Sequence, residues 1–306
     1  MRKGIDRQAV LILLVLCFIW GVQQSVIKAV SGDISTLLQV CLRSGIAALC
    51  LWLFSRFSDY HTWFTGVGRA GALVASLFAL EFLCLAQALR FGGAAHLSVF
   101  LYTAPLFAAL GLHIFVPEER LNRQQWSGVL LAFFGVAVIF LLPLMLQGQS
   151  LGFENSLLGD LWGIGAGAAW GLTTVVVRSS KLSEAPPTQT LFYQLLGGFI
   201  LLLPLVFWTG QTHISNTPAT WGSLAFQGLL VSFVTYLIWF NLLRRYWAAR
   251  LGVLSLMTPI FGVLAGVVLL NETLSSAFVL GSVMIISGIL LVNNVIKWPK
   301  RTFSAA

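Results

Sequence analysis

Two polar patches interrupt long apolar runs, and each combines an aromatic ring with a hydrogen-bonding group. Trp20 and Gln24 are four residues apart, so a helix stacks them on one face. Trp170 and Thr174 repeat this spacing 150 positions later; in both copies glycine follows the tryptophan, and a basic residue follows four positions after the polar group. Aromatic faces bury apolar side chains and attract ammonium groups. Both patches are predicted to line one binding pocket; helix packing through the Trp-Gly pair is the alternative.

One acid and one base lie deep inside apolar runs. Glu81 is about 13 Å from the end of its run near Arg90, and Arg43 is about 12 Å from the end of the preceding run, at 1.5 Å per helical residue. Charges at such depth are costly unless they are paired or face a cavity. Two roles stay open for Glu81: a buried ion pair with Arg43, or a partner for a substrate ammonium group or a proton. Both hold if substrate and Arg43 compete for the carboxylate.

Further polar and aromatic residues in otherwise apolar runs complete the predicted pocket. Prolines shortly follow two of them; because proline removes a helical hydrogen bond, it predicts a hinge or, alternatively, a static kink. The additional predicted substrate-binding residues are Tyr102, Tyr236, Trp239 and Ser255, and the predicted hinges are Pro105 and Pro259.

The composition is that of a polytopic membrane protein. Of 306 residues, 58% are hydrophobic and 9% are charged, against about 25% charged in an average soluble domain. The net charge of +8 comes from basic residues at the ends of apolar runs, with no basic patch that would indicate nucleic acid. The predicted partners are therefore the lipid bilayer, with its anionic headgroups, and a small-molecule substrate.

A membrane span needs about 20 apolar residues, and this length divides the chain into ten predicted transmembrane helices. A longer polar connection, 148–155, separates a first five-helix unit, 1–147, from a second, 156–306. The predicted spans are 9–30, 35–54, 70–90, 94–116, 123–143, 156–180, 188–208, 220–243, 249–270 and 276–296.

Basic residues predict the orientation. If the N-terminus is cytoplasmic, fifteen of the 18 Lys and Arg residues fall on the inner side, Arg43 lies within a span, and only Lys28 and Arg90 lie at outer ends. Positive charge is retained on the cytoplasmic side of membranes. Both termini are therefore predicted to be cytoplasmic.

A second internal match extends the repeat. Leu89-Arg90 and Pro105 match Leu243-Arg244 and Pro259 at an offset of 154. Because each unit has five spans, an odd number, the second unit must be inverted relative to the first. Inverted repeats commonly provide alternating access, with the binding site near the midplane where the repeats meet.

Glycines at helical spacing predict where helices approach closely. They are Gly159, Gly163, Gly167 and Gly171 in the sixth predicted span, and the pairs Gly128/Gly135 and Gly281/Gly288 in the fifth and tenth.

Two five-helix halves, each opening with a Trp-Gly helix and each carrying Ala-Ala-x-Leu, then proline, then a terminal Glu, resemble the EamA-type drug/metabolite transporters. The resemblance covers essentially the whole chain and is strongest to the aromatic amino acid exporters of Gram-negative bacteria. It implies a multi-pass protein of the bacterial inner membrane, a monomer or weak homodimer, that exports aromatic and other neutral amino acids from the cytoplasm. An exporter of drugs or organic cations on the same fold is the alternative.

Other function classes lack their motifs. The chain has no Gly-Lys dipeptide, so no P-loop, and transport is predicted to be secondary. It has no His-Glu-x-x-His and no pair of acids within a predicted span, so no enzymatic activity is predicted. The four cysteines lie inside apolar runs without metal-ligand spacing, and neither a metal nor a cofactor is expected. A channel or lipid scaffold is disfavoured by the two inverted halves with matched prolines.

Overall fold

A computed structural model describes residues 6–56, 68–116, 120–147, 153–246, 251 and 254–292. Most of the predicted connection 148–155 lies outside these residues. Within them the chain is all-helical, with one isolated bridge between Ile34 and Ile214. The helices are α1 (Arg7–Ala29), α2 (Thr36–Arg56), α3 (Gly68–Phe91), α4 (Ala94–Leu101), α5 (Ala104–Phe115), α6 (Arg123–Gln147), α7 (Phe153–Ser179), α8 (Pro187–Trp208), α9 (Pro218–Ala225), α10 (Tyr236–Arg245), α11 (Thr258–Leu270) and α12 (Ser276–Val292).

Local signals fix several helix starts. Asp6 caps α1 by accepting the Ala9 N–H at 2.8 Å, and Thr217 caps α9 by accepting the Thr220 N–H at 3.2 Å. The first turn of α8 contains Pro187, where a missing N–H costs no helical hydrogen bond. Polar caps and prolines thus mark the starts of these helices, at the breaks between apolar runs.

Seven helical stretches of the described chain are long and apolar enough to cross a membrane. Two shorter helices, α11 and α12, are also apolar. Each of the ten predicted intervals contains at least one described helix. The seven stretches are Arg7–Ala29, Thr36–Ser55, Gly68–Phe91, Ala94–Phe115, Leu157–Ser179, Pro187–Trp208 and Pro218–Trp239.

Helices of one half pack between helices of the other, and glycines allow this. A Cβ on Gly21 of α1 would lie 2.6 Å from the Phe261 Cβ of α11. A Cβ on Gly171 of α7 would likewise lie 2.6 Å from the Phe107 Cβ of α5. The predicted close-approach stripe of α7 is therefore confirmed at Gly171, and the halves are interleaved rather than side by side.

α6 and α12 form a closely packed pair. A Cβ on Gly128 would lie 2.6 Å from the Gly288 carbonyl oxygen, and one on Gly135 would lie 2.7 Å from the Gly281 carbonyl oxygen. The four glycines of the fifth and tenth predicted spans thus contact each other across the two halves. The predicted close contacts are confirmed.

Two predicted spans are interrupted. The fourth breaks at Tyr102 and Thr103, between α4 and α5, and Pro105 lies in the first turn of α5. The eighth contains a ten-residue π segment, Phe226–Thr235, between α9 and α10. Pro259 lies in the first turn of α11. Broken helices and π segments place backbone and side-chain polar groups inside a bundle, and both recur at functional sites.

The helices end at two opposite faces of the bundle. At one face the start of α1 meets the end of α10, where the Tyr246 hydroxyl donates to Asp6 at 2.8 Å, and the start of α6 meets the end of α12, where Gln125 Nε2 donates to the Val292 carbonyl at 3.0 Å. We call this face the basic end, because its helix ends carry Arg7, Arg69, Arg120, Arg123, Arg178, Lys181 and Arg245. The other face, the opposite end, carries Lys28 and Arg90.

Candidate functional site

A cavity of about 270 Å³ lies where the two halves meet. Its walls come from α1, α3, α4, α7, α8 and α10, together with Ser255 just before α11. Leu191 and Gln194 belong to the first turns of α8, so the cavity extends from the middle of the bundle toward the basic end. We call it the central cavity.

Eight of the nine predicted pocket residues line the central cavity. They are aromatic or polar interruptions of apolar runs, and the bundle brings them together from six separate segments. They are Trp20, Gln24, Glu81, Tyr102, Trp170, Tyr236, Trp239 and Ser255.

Thr174 is the exception. It is exposed and lines a different cavity of about 550 Å³ at the basic end, together with Pro105 and Arg120. Trp170 contributes to both cavities. Thr174 lies one helical turn beyond Trp170 toward the end of α7, far enough to leave the central cavity. The repeat therefore does not place Thr174 where its counterpart Gln24 lies.

Aromatic rings form the walls of the central cavity in two groups. In the first group, Trp20 meets Trp239 edge-on at 5.6 Å between ring centroids and Tyr236 at 6.1 Å. The Trp20 Nε1–H donates to the Thr235 hydroxyl at 2.7 Å, which fixes the indole. In the second group, Tyr102 meets Trp170 edge-on at 5.4 Å and 89°. These geometries are the favourable ones for aromatic pairs, and they leave ring faces for a ligand.

Glu81 places one carboxylate in this aromatic wall. The residue is 7% exposed, and in the described part of the chain no group donates a hydrogen bond to its carboxylate. Arg43 interacts with it electrostatically, but the two side chains form no ion pair within 4.0 Å. The acid therefore has a cation nearby and keeps its oxygens available.

Arg43 is fully buried behind this wall. Its guanidinium lies over the Phe82 ring, 4.1 Å from the centroid, and Nη1 donates to Gln227 Oε1 at 3.5 Å. Within the described part of the chain, Nε and Nη2 have no hydrogen-bond partner. The direct Glu81–Arg43 pair, one of the two roles left open by the sequence, is not formed; Phe82 occupies one face of the guanidinium and Gln227 one of its edges.

Amide groups add hydrogen-bonding capacity. The Gln24 side chain is 5% exposed, and its Oε1 accepts no hydrogen bond from any residue that the structure describes. The lining contains two further amide side chains, Gln23 and Gln194, which were not among the predicted site residues. Gln194 interrupts an apolar stretch of α8, and Gln23 precedes Gln24, so polarity within a span is the signal that would have found both.

The arrangement suits an amphipathic molecule. The Glu81 carboxylate and the Gln24 carbonyl are hydrogen-bond acceptors, which an ammonium group satisfies with its three donors. Tryptophan and tyrosine faces stabilise the same group through their quadrupoles and bury an apolar side chain. Of the described lining residues only Glu81 carries a formal charge, so the cavity favours a cation or zwitterion over an anion.

Comparison with known proteins agrees with this architecture. The chain matches the EamA-like transporter family twice, over residues 7–141 and 157–294. It is 27% identical to a probable amino-acid metabolite efflux pump of Salmonella typhimurium, covering 90% of this chain and 91% of the relative. It is 26% identical to a protein of the same name from Escherichia coli, covering 96% and 97%.

A solved crystal structure shares the fold. It aligns with a TM-score of 0.63 at 18% identity and covers 95% of this chain and 98% of the other. The two family matches fall on the two halves whose helices meet around the central cavity. The chain therefore belongs to the EamA-like transporter family of the drug/metabolite transporter superfamily, as a multi-pass membrane protein.

Proposed function

We propose that this transporter exports neutral amino acids, aromatic ones among them, by alternating access through the central cavity. The carrying observation is the composition of that cavity. One unpaired acid, an unpartnered amide oxygen and two groups of aromatic rings converge where the halves meet. An aromatic amino acid presents the complementary ammonium group and ring.

The size of the cavity supports a single small ligand. Small-molecule sites usually range from about 300 to 1,000 Å³, and the central cavity, at about 270 Å³, lies just below that range. An amino acid suits this volume better than a large lipophilic drug. The names of the Salmonella and Escherichia coli relatives, probable amino-acid metabolite efflux pumps, support both the substrate class and the export direction.

The proposed topology has ten spans in two inverted repeats, 1–147 and 156–306, with both termini in the cytoplasm. The basic end is then cytoplasmic, because positive residues stay on that side of the bacterial inner membrane. Rocking of the halves would use the breaks at Pro105 and Pro259 as hinges. Because the central cavity extends toward the basic end, this conformation would be the one that receives substrate from the cytoplasm.

Substrate transport is driven without ATP hydrolysis, since this chain has no P-loop. The chain itself carries out no chemical conversion of its substrate. The residues proposed to hold that substrate are those that line the central cavity, with Glu81 and Gln24 at the ammonium group and the tryptophans at the side chain.

Counterflow into proteoliposomes tests the substrate class. Vesicles preloaded with unlabelled phenylalanine should accumulate external labelled phenylalanine, and empty vesicles should not. External tyrosine and tryptophan should compete, whereas tetraphenylphosphonium, a lipophilic cation, should not. Competition by the lipophilic cation without competition by amino acids would instead establish a drug exporter on this fold. Competition by a nucleotide sugar alone would overturn the proposed substrate class.

A further inference from the structure

The opposite end is held closed by two charged side chains, each bound to a helix end. Lys28, at the end of α1, donates from Nζ to the Leu89 and Gly92 carbonyl oxygens, the latter at 2.9 Å. These carbonyls belong to the end of α3, where helical acceptors have no intrahelical partner. A cation at this position also complements the negative end of the helix dipole.

Glu272 makes the complementary contact from α11. Its Oε1 accepts the Ala94 N–H at 2.7 Å, and its Oε2 accepts the Ala95 N–H at 2.9 Å. These are unsatisfied donors at the start of α4, whose N-cap residue Gly93 provides no side-chain cap. A Cβ at Gly93 would lie 2.8 Å from Glu272 Oε2, so glycine is needed for this approach.

The turn before Glu272 aims its side chain. Asn271 ends α11 in the left-handed conformation, with φ of 53°, and the Glu272 N–H donates back to the Gly266 carbonyl at 3.2 Å. This is a local C-terminal cap that directs the next side chain away from its own helix. Lys28 and Glu272 also interact electrostatically. The two charges therefore form one connected contact.

This contact joins α1 and α11 to the corner between α3 and α4 at the opposite end. α1 packs closely against α11, with Gly21 beside Gly262. α4 packs against both neighbours, with Ala95 beside Gly266 of α11 and Phe100 beside Gly163 of α7. Lys28 binds the end of α3 from α1, and Glu272 binds the start of α4 from just after α11. They are thus placed to hold these helix ends together at the opposite end.

The inverted repeat supplies a counterpart at the basic end. Lys28 corresponds to Arg178 at an offset of 150, and Leu89 and Gly92 correspond to Leu243 and Tyr246 at an offset of 154. Arg178 is exposed in the last turn of α7. In the described chain α7 and α10 do not pack closely against each other. Trp170 and Trp239 belong to the two different aromatic groups of the central cavity.

We propose that Lys28 and Glu272 form a latch that closes the opposite end, and that Arg178 closes the basic end in the alternate state by binding the Leu243 and Tyr246 carbonyls. The two latches belong to alternate states, because alternating access opens one end of the bundle while the other is closed. The proposal rests on alternating access in the proposed function, and it does not depend on which substrate is carried.

Accessibility of one cavity residue tests the latch without any substrate. Leu101→Cys places a thiol in the central cavity, and a membrane-impermeant methanethiosulfonate reagent added to intact cells labels it from outside. Trp208→Cys, 85% exposed at the opposite end, reports whether that end faces the reagent. The chain without an introduced cysteine gives the background from the four native thiols.

Adding Lys28→Gln to the Leu101→Cys protein should raise the labelling rate from outside about tenfold or more. The reason is that hydrogen bonds to a charged group contribute about 1.5–3 kcal/mol each, and about 1.4 kcal/mol corresponds to a factor of ten. Glu272→Gln should act in the same direction, and Lys28→Arg should label as slowly as the parent. Arg178→Gln should not raise outside labelling, and should instead raise labelling in inside-out vesicles.

The matched control is Arg90→Gln, which removes a charge at the same end of α3. The Arg90 guanidinium lies over the Phe91 ring, 5.3 Å from the centroid, and is not part of the latch. Parental labelling rates in well-folded Lys28→Gln and Glu272→Gln proteins, judged by monodisperse elution, would overturn the latch. Failure of both to fold would overturn it too, because a latch that opens must be dispensable for folding. Loss of phenylalanine counterflow in wild type leaves this test unaffected.

Discussion

Replacing Glu81 with glutamine should lower the initial rate of phenylalanine counterflow by about tenfold or more. The amide keeps the shape of the side chain and removes the formal charge of Glu81, the one such charge among the described residues that line the central cavity. A charged acceptor contributes about 1.5–3 kcal/mol to a hydrogen bond with an ammonium group, and about 1.4 kcal/mol is a factor of ten. The rate is measured in proteoliposomes at matched protein content.

Two comparisons separate this effect from loss of stability. Glu81→Gln also removes the acid near the buried Arg43 guanidinium, which keeps Phe82, Gln227 and Tyr236 as neighbours, and an uncompensated buried charge is destabilising. Thermal unfolding of each purified variant therefore accompanies the rates. Glu184→Gln removes an exposed acid at the basic end and should transport normally. A Glu81→Gln protein that transports at the wild-type rate would remove Glu81 from the binding site.

Filling the central cavity should have an effect of similar size on binding. Ser255→Trp adds an indole to a cavity of about 270 Å³, which then has no room for an aromatic amino acid. Phenylalanine binding, measured by titration calorimetry on the purified protein, should fall below detection. Transport should be lost with it.

The matched control places the same indole on the lipid-facing side. Leu264→Trp lies on α11, where the native side chain is 53% exposed, and tryptophan is well tolerated where a bundle meets lipid. It should bind as wild type does. Thr174→Trp fills the other cavity instead; loss of binding in that variant with retention in Ser255→Trp would place the substrate between Arg120 and Trp170, contrary to the proposal.

Much of this architecture is predictable from sequence because a bilayer imposes simple rules. Apolar length predicts helices, and every polar residue within a helix needs a partner or a cavity. That reasoning predicts Tyr102, Tyr236, Trp239 and Ser255 from three separate places in the chain, and all four meet in one cavity. Gln194 follows from the same rule, although it was not selected.

The sequence shows where the repeat departs from symmetry, but not which contacts result. Trp20 and Trp170 are equivalent in sequence, yet Thr235 binds the Trp20 indole, whereas Glu81 occupies the position equivalent to Thr235. Among the described contacts, no hydrogen bond joins the Trp170 ring nitrogen to a partner. Sequence symmetry therefore predicts matched roles for Gln24 and Thr174 that the asymmetric packing of the two halves does not provide.

The environment of Arg43 shows a second limit. Depth along two helices predicts that Arg43 and Glu81 lie near each other, and they do interact electrostatically. Depth does not give the rotation of each helix about its axis. That rotation places Phe82 over the guanidinium and brings Gln227, from the π segment, to its edge. The π segment itself has no marker such as proline at its position.

A cryo-electron microscopy map of the protein in lipid nanodiscs with saturating phenylalanine tests the central claim most directly. We expect ligand density inside the central cavity, between Trp20, Trp170 and Trp239, with the amino group against Glu81 and the ring on an indole face. Phenylalanine found beside Thr174 and Arg120, or a chamber that stays empty at saturation, would contradict the account.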